Sequence, residues 1–172
     1  MRFAGRGFRG HDPAWSFSPL SGGGAALTGG RFNRKGEPTL YLALDVMTAI
    51  AECTQGFSHR LQPLTMCEYD VDCDDIADLC DDAGLAAHGV TRDELACGWL
   101  TDLRAGRQAP SWLVADRLRK AGHNGILVPS FVPGATARDV NLVLWRWGPD
   151  LPHRVMVYDP TDRLPKDQRS WS

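Results

Sequence analysis

The sequence has no long apolar run, which limits where the chain can reside. Its apolar stretches, such as residues 126–128, are only a few residues long, whereas a helix needs about 20 apolar residues to cross a bilayer. The N-terminus carries positive charge but lacks the apolar core of a secretory signal peptide. We therefore expect a cytoplasmic protein without a membrane segment.

An excess of positive charge and a set of paired cysteines are also absent. The chain has 19 Lys and Arg against 21 Asp and Glu, a formal net charge of −2, whereas a nucleic-acid-binding domain presents a basic surface. Five cysteines without a Cys-x-x-Cys pair indicate reduced thiols rather than a disulfide or zinc framework. The five histidines form no His-Glu-x-x-His pattern, which zinc hydrolases typically carry. These features predict neither direct nucleic-acid contact nor a bound metal.

What the chain does have is the composition of an ordinary globular protein. Its 172 residues are 43% hydrophobic and 23% charged, which predicts a single domain over residues 1–172. Residues 1–38 are rich in Gly, Pro and Ser with interspersed aromatics, a composition that predicts an irregular entry segment whose aromatics dock it onto the core. We expect this segment to line a cleft. Residues 160–172 are polar and are expected to form a peripheral tail.

Apolar periodicity predicts the regular elements. Residues 40–44 alternate, with three leucines on one face of a strand and Tyr41 on the other. Asp45 is a suitable N-cap for a helix to Gln55, closed by Gly56, in which Glu52 borders the apolar stripe.

Further strands are predicted at 64–71, 125–130, 141–147 and 154–158, and further helices at 91–106 and 111–121. A capping-box spacing opens the first of these helices. Residues 72–82 are expected to form a short helix or turn. Strands outnumber strong helices, so we predict an α+β domain with a mixed, mostly antiparallel sheet and flanking helices.

Three side chains of the 28–52 region have the chemistry of a binding cleft. Arg31 follows two glycines and offers a fork of donors suited to phosphate, although it could equally be a structural arginine. Tyr41 could stack on a flat ring or pack in the core, and Glu52 could stabilise a cation or simply face solvent. Ser130 ends a predicted strand, but no Gly-x-Ser-x-Gly motif surrounds it, which disfavours an esterase nucleophile.

Taken in order, several short motifs resemble the RES domain family. They are Ser-Gly-x-Gly-Ala-x-x-x-Gly-Gly-Arg-Phe-Asn at 21–33, Gly-x-Pro-x-x-Tyr-Leu-Ala at 36–43, Ala-x-x-Glu at 49–52, Val-Pro-Ser at 128–130 and Asn-Leu-Val-Leu at 141–144. The family is named for an Arg, a Glu and a Ser, which correspond here to Arg31, Glu52 and Ser130. The resemblance covers roughly residues 15–150, and residues 60–122 carry no matching motif.

The resemblance implies an ADP-ribosyltransferase-like fold and a toxin of a bacterial toxin–antitoxin pair that consumes NAD+ as a substrate. Its partner would be an antitoxin with an Xre/Cro-like helix-turn-helix domain that blocks the cleft. The residues expected to bind NAD+ share the first two motifs: Ser21, Gly30, Arg31, Phe32, Asn33 and Tyr41. Those expected to be catalytic are Arg31, Tyr41, Glu52 and Ser130, with Ser130 bonding the dinucleotide or fixing Arg31.

The leading functional hypothesis is mono-ADP-ribosylation of a host-cell protein, which arrests growth. A close alternative is an NAD+ glycohydrolase or phosphorylase that depletes NAD+. A second alternative, from a different class, is a non-catalytic module that binds a nucleotide or a partner without turnover.

Overall fold

The computed structural model describes residues 1–54 and 62–169 of the chain. Its seven strands are β1 (Phe3–His11), β2 (Leu40–Ala43), β3 (Thr65–Cys73), β4 (Ile76–Asp78), β5 (Gly125–Pro129), β6 (Val140–Leu144) and β7 (His153–Val157). Its helices are α1 (Gly23–Thr28), α2 (Val46–Thr54), α3 (Asp82–Ala87), α4 (Arg92–Ala96), α5 (Trp99–Arg104) and α6 (Pro110–Lys120), with a 3-10 turn at Pro13–Trp15.

All seven strands lie in one sheet, in the order β4-β5-β6-β2-β1-β3-β7. Neighbouring strands are antiparallel except for the parallel pair β4 and β5. The predicted α+β class with a mixed, mostly antiparallel sheet is therefore confirmed. Strands β1, β2 and β6, at its centre, position most of the site described below.

Two apolar clusters hold the fold together. Because strand side chains alternate between faces, Leu40 and Leu42 join one cluster with Tyr69 and Leu142, as the alternation in residues 40–44 predicts. Tyr41 joins the other cluster, which includes side chains from α3, α4 and α6. The opposite placement of Tyr41 and its leucine neighbours is thus confirmed.

The prediction of an irregular segment over residues 1–38 is wrong for its first part. Phe3–His11 forms a nine-residue strand that pairs with β2 on one side and with β3 on the other. Its glycines have low strand propensity, so the sequence pattern did not indicate a strand. Gly10 is needed for the close approach of helix α2, since a Cβ there would lie 2.6 Å from the Cys53 sulfur. The aromatics do not all dock on the core either, because Trp15 is 58% exposed.

The middle of the chain also differs from expectation. Residues 72–82 contain strand β4 instead of only a helix or turn, and the predicted helix at 91–106 is two short helices, α4 and α5. The capping box that opens α4, with Thr91 and Glu94, is confirmed. Strand β6 ends at Leu144, three residues before the predicted end. The predicted C-terminus of α2, Gln55 and Gly56, lies outside the described residues.

A buried histidine couples the stability of this fold to pH. His11 is 7% exposed, and its Nε2 lies 2.6 Å from the hydroxyl of Tyr69. That hydroxyl donates to the carbonyl of Pro19 at 2.8 Å, so its oxygen accepts a hydrogen bond from the Nε2–H of the neutral imidazole. Burial, with the nearby charge of Arg9, lowers the pKa of His11 to about 4.

We expect acid to destabilise the protein through His11. Between pH of about 6.5 and about 4 the unfolded chain binds a proton at this position that the folded chain does not, so stability is complete above this window and falls as pH decreases through it. At about 1.4 kcal/mol per pKa unit, the loss amounts to roughly 3 kcal/mol. Urea unfolding across this pH range should show a steeper fall for wild type than for His11→Phe. Parallel curves for the two proteins would contradict this assignment.

Candidate active site

A cavity of about 690 Å³ opens where the loop after α1 meets the centre of the sheet. Loop residues, strands β2 and β6, helix α2, helix α5 and the segment after β5 all contribute to its wall. Its polar and aromatic lining comprises Arg9, Thr28, Arg31, Phe32, Tyr41, Glu52, Trp99, Phe131 and Asn141. Residues from distant parts of the chain thus converge on one concave surface, the usual setting of a ligand site.

Arg31 is held on one wall of this cavity by the protein backbone and an aromatic ring. Its Nη1 donates to the carbonyls of Leu95 and Cys97 at 2.9 and 2.7 Å. The guanidinium carbon lies 4.3 Å from the ring centroid of Phe131, in cation–π contact. Burial lowers the pKa of Arg31, but arginine stays charged at neutral pH. The guanidinium is therefore oriented by carbonyls and a ring, and no carboxylate of residues 1–54 and 62–169 lies within ion-pair distance of it.

Arg31 lies in a turn between Gly30 and Asn33, and Tyr41 of strand β2 stabilises this turn. The Tyr41 hydroxyl accepts from the amide of Phe32 at 3.0 Å and donates to Oδ1 of Asn33 at 2.7 Å. A Cβ at Gly30 would lie 2.6 Å from the same hydroxyl, so only glycine fits here. Burial raises the pKa of Tyr41, which keeps the phenol neutral. The hydroxyl is thus occupied by bonds to the turn, and Tyr41 lines the cavity.

Glu52 reaches the same cavity from helix α2. Its Oε1 accepts from the Ser130 hydroxyl at 2.7 Å and from Nδ2 of Asn141 at 2.5 Å. Ser130 follows β5 and Asn141 belongs to β6, so two neighbouring strands fix the carboxylate that the helix delivers. Both bonds end on one oxygen, and neither uses Oε2. The arrangement orients an anionic group toward the cavity.

A smaller cavity of about 240 Å³ adjoins this point. It shares Arg9, Tyr41, Glu52 and Asn141 with the larger cavity, and Gly10 and Cys53 also line it. Burial raises the pKa of the Cys53 thiol, which disfavours a reactive thiolate. Glu52 therefore stands where two spaces of different size meet.

Not every predicted site residue lines these cavities. Asn33 is fully buried and donates to three carbonyls, those of Ala25, Arg34 and Glu37, so it stabilises the loop. The Ser21 side chain accepts from the amide of Gly23 at 3.0 Å. Ser130 is 8% exposed and contacts Glu52, instead of fixing Arg31. The structure brings together Gly30, Arg31, Phe32, Tyr41 and Glu52 at the cavity.

Comparison with known proteins identifies the family. A model of the RES domain matches residues 6–167. The chain belongs to the RES domain family. Its fold is similar to that of a chain in the crystal structure of the M. tuberculosis MbcT-MbcA toxin-antitoxin complex, with a TM-score of 0.58 and 19% sequence identity. The alignment covers 92% of this chain and 84% of that chain. Comparison with curated protein sequences finds no match.

Three further residues of the candidate site, Arg9, Phe131 and Asn141, were not predicted from the sequence. Asn141 is a polar residue in an otherwise apolar strand, a signal that was visible within the motif at 141–144. Phe131 directly follows Ser130, but nothing in the sequence shows that its ring meets Arg31. Arg9 was hidden because the glycine-rich strand that carries it was not recognised. Arg9 and Asn141 reach the candidate site because their strands, β1 and β6, both pair with β2.

In residues 1–54 and 62–169, no helix is both long and apolar enough to cross a membrane. No group of three or more His, Cys, Asp or Glu side chains in the same residues is arranged to hold a metal ion.

Proposed function

We propose that this RES domain is the toxin of a toxin–antitoxin pair and that it cleaves the bond between nicotinamide and ribose in NAD+, then transfers the ADP-ribose to a protein of the cell. The observation that carries the proposal is the Glu52 carboxylate, oriented by Ser130 and Asn141 beside a cavity that also holds the Arg31 guanidinium. One site thus offers an anion for a sugar cation and a cation for phosphate.

The chemistry requires a carboxylate near the ribose. When the C1′–N1 bond breaks, its electron pair stays with the nicotinamide nitrogen, and the ribose acquires oxocarbenium character. A fixed carboxylate stabilises that positive charge as it develops, without reorganising. The acceptor then donates an electron pair to C1′ and loses its proton. Ser130 and Asn141 act as positioning residues, because their bonds hold Glu52 in place.

The same cavity has groups suited to the rest of the dinucleotide. Arg31 offers donors for the diphosphate or for the ribose next to nicotinamide. The rings of Tyr41 and Phe131 both line the cavity and suit stacking on nicotinamide. A cavity of about 690 Å³ lies within the range of small-molecule and cofactor sites.

The proposed partner is an antitoxin with an Xre/Cro-like helix-turn-helix domain that covers the cavity. Support comes from the family and from the structural neighbour, which is described as a toxin–antitoxin complex. Leu100 lines the cavity and is 40% exposed, and Leu27, next to the lining residue Thr28, is 79% exposed, so both side chains are free to pack against a protein partner.

The acceptor of the ADP-ribose distinguishes the candidate reactions. The exposed side chains of Leu27 and Leu100 suit contact with a protein acceptor. The smaller cavity beside Glu52 suits a small acceptor such as water or phosphate. The purified protein should be incubated in cell lysate with NAD+ labelled in its adenylate part. We expect label on a protein. Label found solely in free ADP-ribose or its phosphate would instead establish the glycohydrolase or phosphorylase reaction.

A further inference from the structure

Arg9 is a half-buried arginine with no carboxylate within ion-pair distance in residues 1–54 and 62–169. Most described arginines lie within ion-pair distance of a carboxylate. Among the described arginines that do not, all are exposed except Arg9 and Arg31. The exposed ones are Arg104, Arg138, Arg146 and Arg163. A partly buried cation without a counter-charge is costly, and both of these cations line the same cavity.

The position of Arg9 is set by the centre of the sheet. It lies on β1, opposite Cys67 of β3, and its Nη1 donates to the carbonyl of Ser21 at 2.9 Å. This bond uses one donor of a guanidinium that has five. The side chain lines both the larger and the smaller cavity. Desolvation by the surrounding protein lowers its pKa, and an anion bound beside it would offset that cost.

We propose that Arg9 is a phosphate-binding residue of this site. A guanidinium presents paired donors that match two oxygens of a phosphate group. The phosphate has two sources within the proposed reaction: the diphosphate of the dinucleotide in the larger cavity, or inorganic phosphate as the acceptor in the smaller one. Arg9 and Arg31 then supply the positive charge of the site, and Glu52 supplies the negative charge that the ribose needs.

The inference rests on the proposed function for its biological meaning, but its test needs no turnover. Calorimetry with ADP, adenosine and inorganic phosphate measures binding to the wild type and to Arg9→Gln. We expect Arg9→Gln to weaken a phosphate-bearing ligand by roughly 10- to 100-fold, the range for a charge-assisted hydrogen bond, and to leave adenosine unchanged. Binding that depends on Arg9 in a protein that releases no nicotinamide would retain this inference and overturn the proposed function.

The two ligands identify the source of the phosphate. Weaker ADP binding with unchanged phosphate binding assigns Arg9 to the diphosphate of the dinucleotide. The reverse assigns it to an inorganic phosphate acceptor. Equal affinities of wild type and Arg9→Gln for both ligands would overturn the proposal, as would a wild type that binds neither.

Two further variants separate ligand binding from a structural role. Arg163→Gln removes the same charge from an exposed residue and should bind every ligand as the wild type does. Arg9→Lys retains the charge but not the paired donors, so it should bind phosphate-bearing ligands more tightly than Arg9→Gln and more weakly than the wild type, with an unchanged melting temperature. A loss of affinity in Arg9→Gln that extends to adenosine and accompanies a lower melting temperature would assign Arg9 to holding the Ser21 carbonyl and would contradict a role in binding phosphate.

Discussion

Replacing Glu52 by glutamine should reduce NAD+ turnover by roughly 10²- to 10³-fold, the effect of removing one preorganised electrostatic group from a transition state. The amide has the same shape as the carboxylate but carries no charge, so it cannot stabilise an oxocarbenium ion. Since the amide oxygen still accepts from Ser130, we expect the fold and the affinity for NAD+ to change little. Initial rates of nicotinamide release, with NAD+ affinity measured separately, test this prediction.

Glu68→Gln is the matched control for this substitution. Glu68 is also partly buried and lies on β3, where it pairs with Arg6 at 3.3 Å outside the cavity. It should retain wild-type turnover. If Glu52→Gln were as active as Glu68→Gln, Glu52 would not be the group that stabilises the reacting ribose.

Replacing Arg31 by alanine should affect both catalysis and stability. The cavity loses a cation for the dinucleotide, so kcat/KM for NAD+ should fall by about 10²-fold or more, largely through KM. The carbonyls of Leu95 and Cys97 also lose their charged donor, which should cost about 1–3 kcal/mol of unfolding free energy. Steady-state kinetics and thermal unfolding of the same preparation measure the two effects separately.

Arg34→Ala distinguishes these two effects. Arg34 donates to both carboxylate oxygens of Asp116, at 2.9 and 2.8 Å, and it does not line the cavity. We expect it to lower the melting temperature while leaving KM for NAD+ near the wild-type value. If the two arginine variants lost turnover in proportion to their loss of stability, Arg31 would be only a structural residue.

Local sequence patterns were sufficient for the elements with clear periodicity. Strand β2, helix α2 as far as it is described, and helix α6 all follow from apolar spacing and capping residues. Strand β1 could not be predicted in this way, because Gly5, Gly7 and Gly10 lower its intrinsic strand propensity. Tertiary contacts require glycine at some of these positions, since a Cβ at Gly7 would lie 2.9 Å from a Leu42 side-chain atom.

The candidate site could be predicted as a set of residues but not as an arrangement. The motifs placed Arg31, Tyr41, Glu52 and Ser130 in one site, and the structure shows that Ser130 contacts Glu52 instead of Arg31. The Tyr41 hydroxyl is likewise taken up by the turn that it stabilises. Such pairings depend on which strands become neighbours in the sheet, which local sequence patterns do not specify.

The central claim is that the cavity between Arg31 and Glu52 cleaves NAD+. The most direct test uses the purified protein, free of any antitoxin. Chromatography measures the release of nicotinamide from NAD+, and calorimetry measures the binding of NAD+. The account predicts one nicotinamide released for each NAD+ consumed, with the release lost in Glu52→Gln. NAD+ binding by the wild type without any nicotinamide release would contradict it and would identify the chain as a binding module.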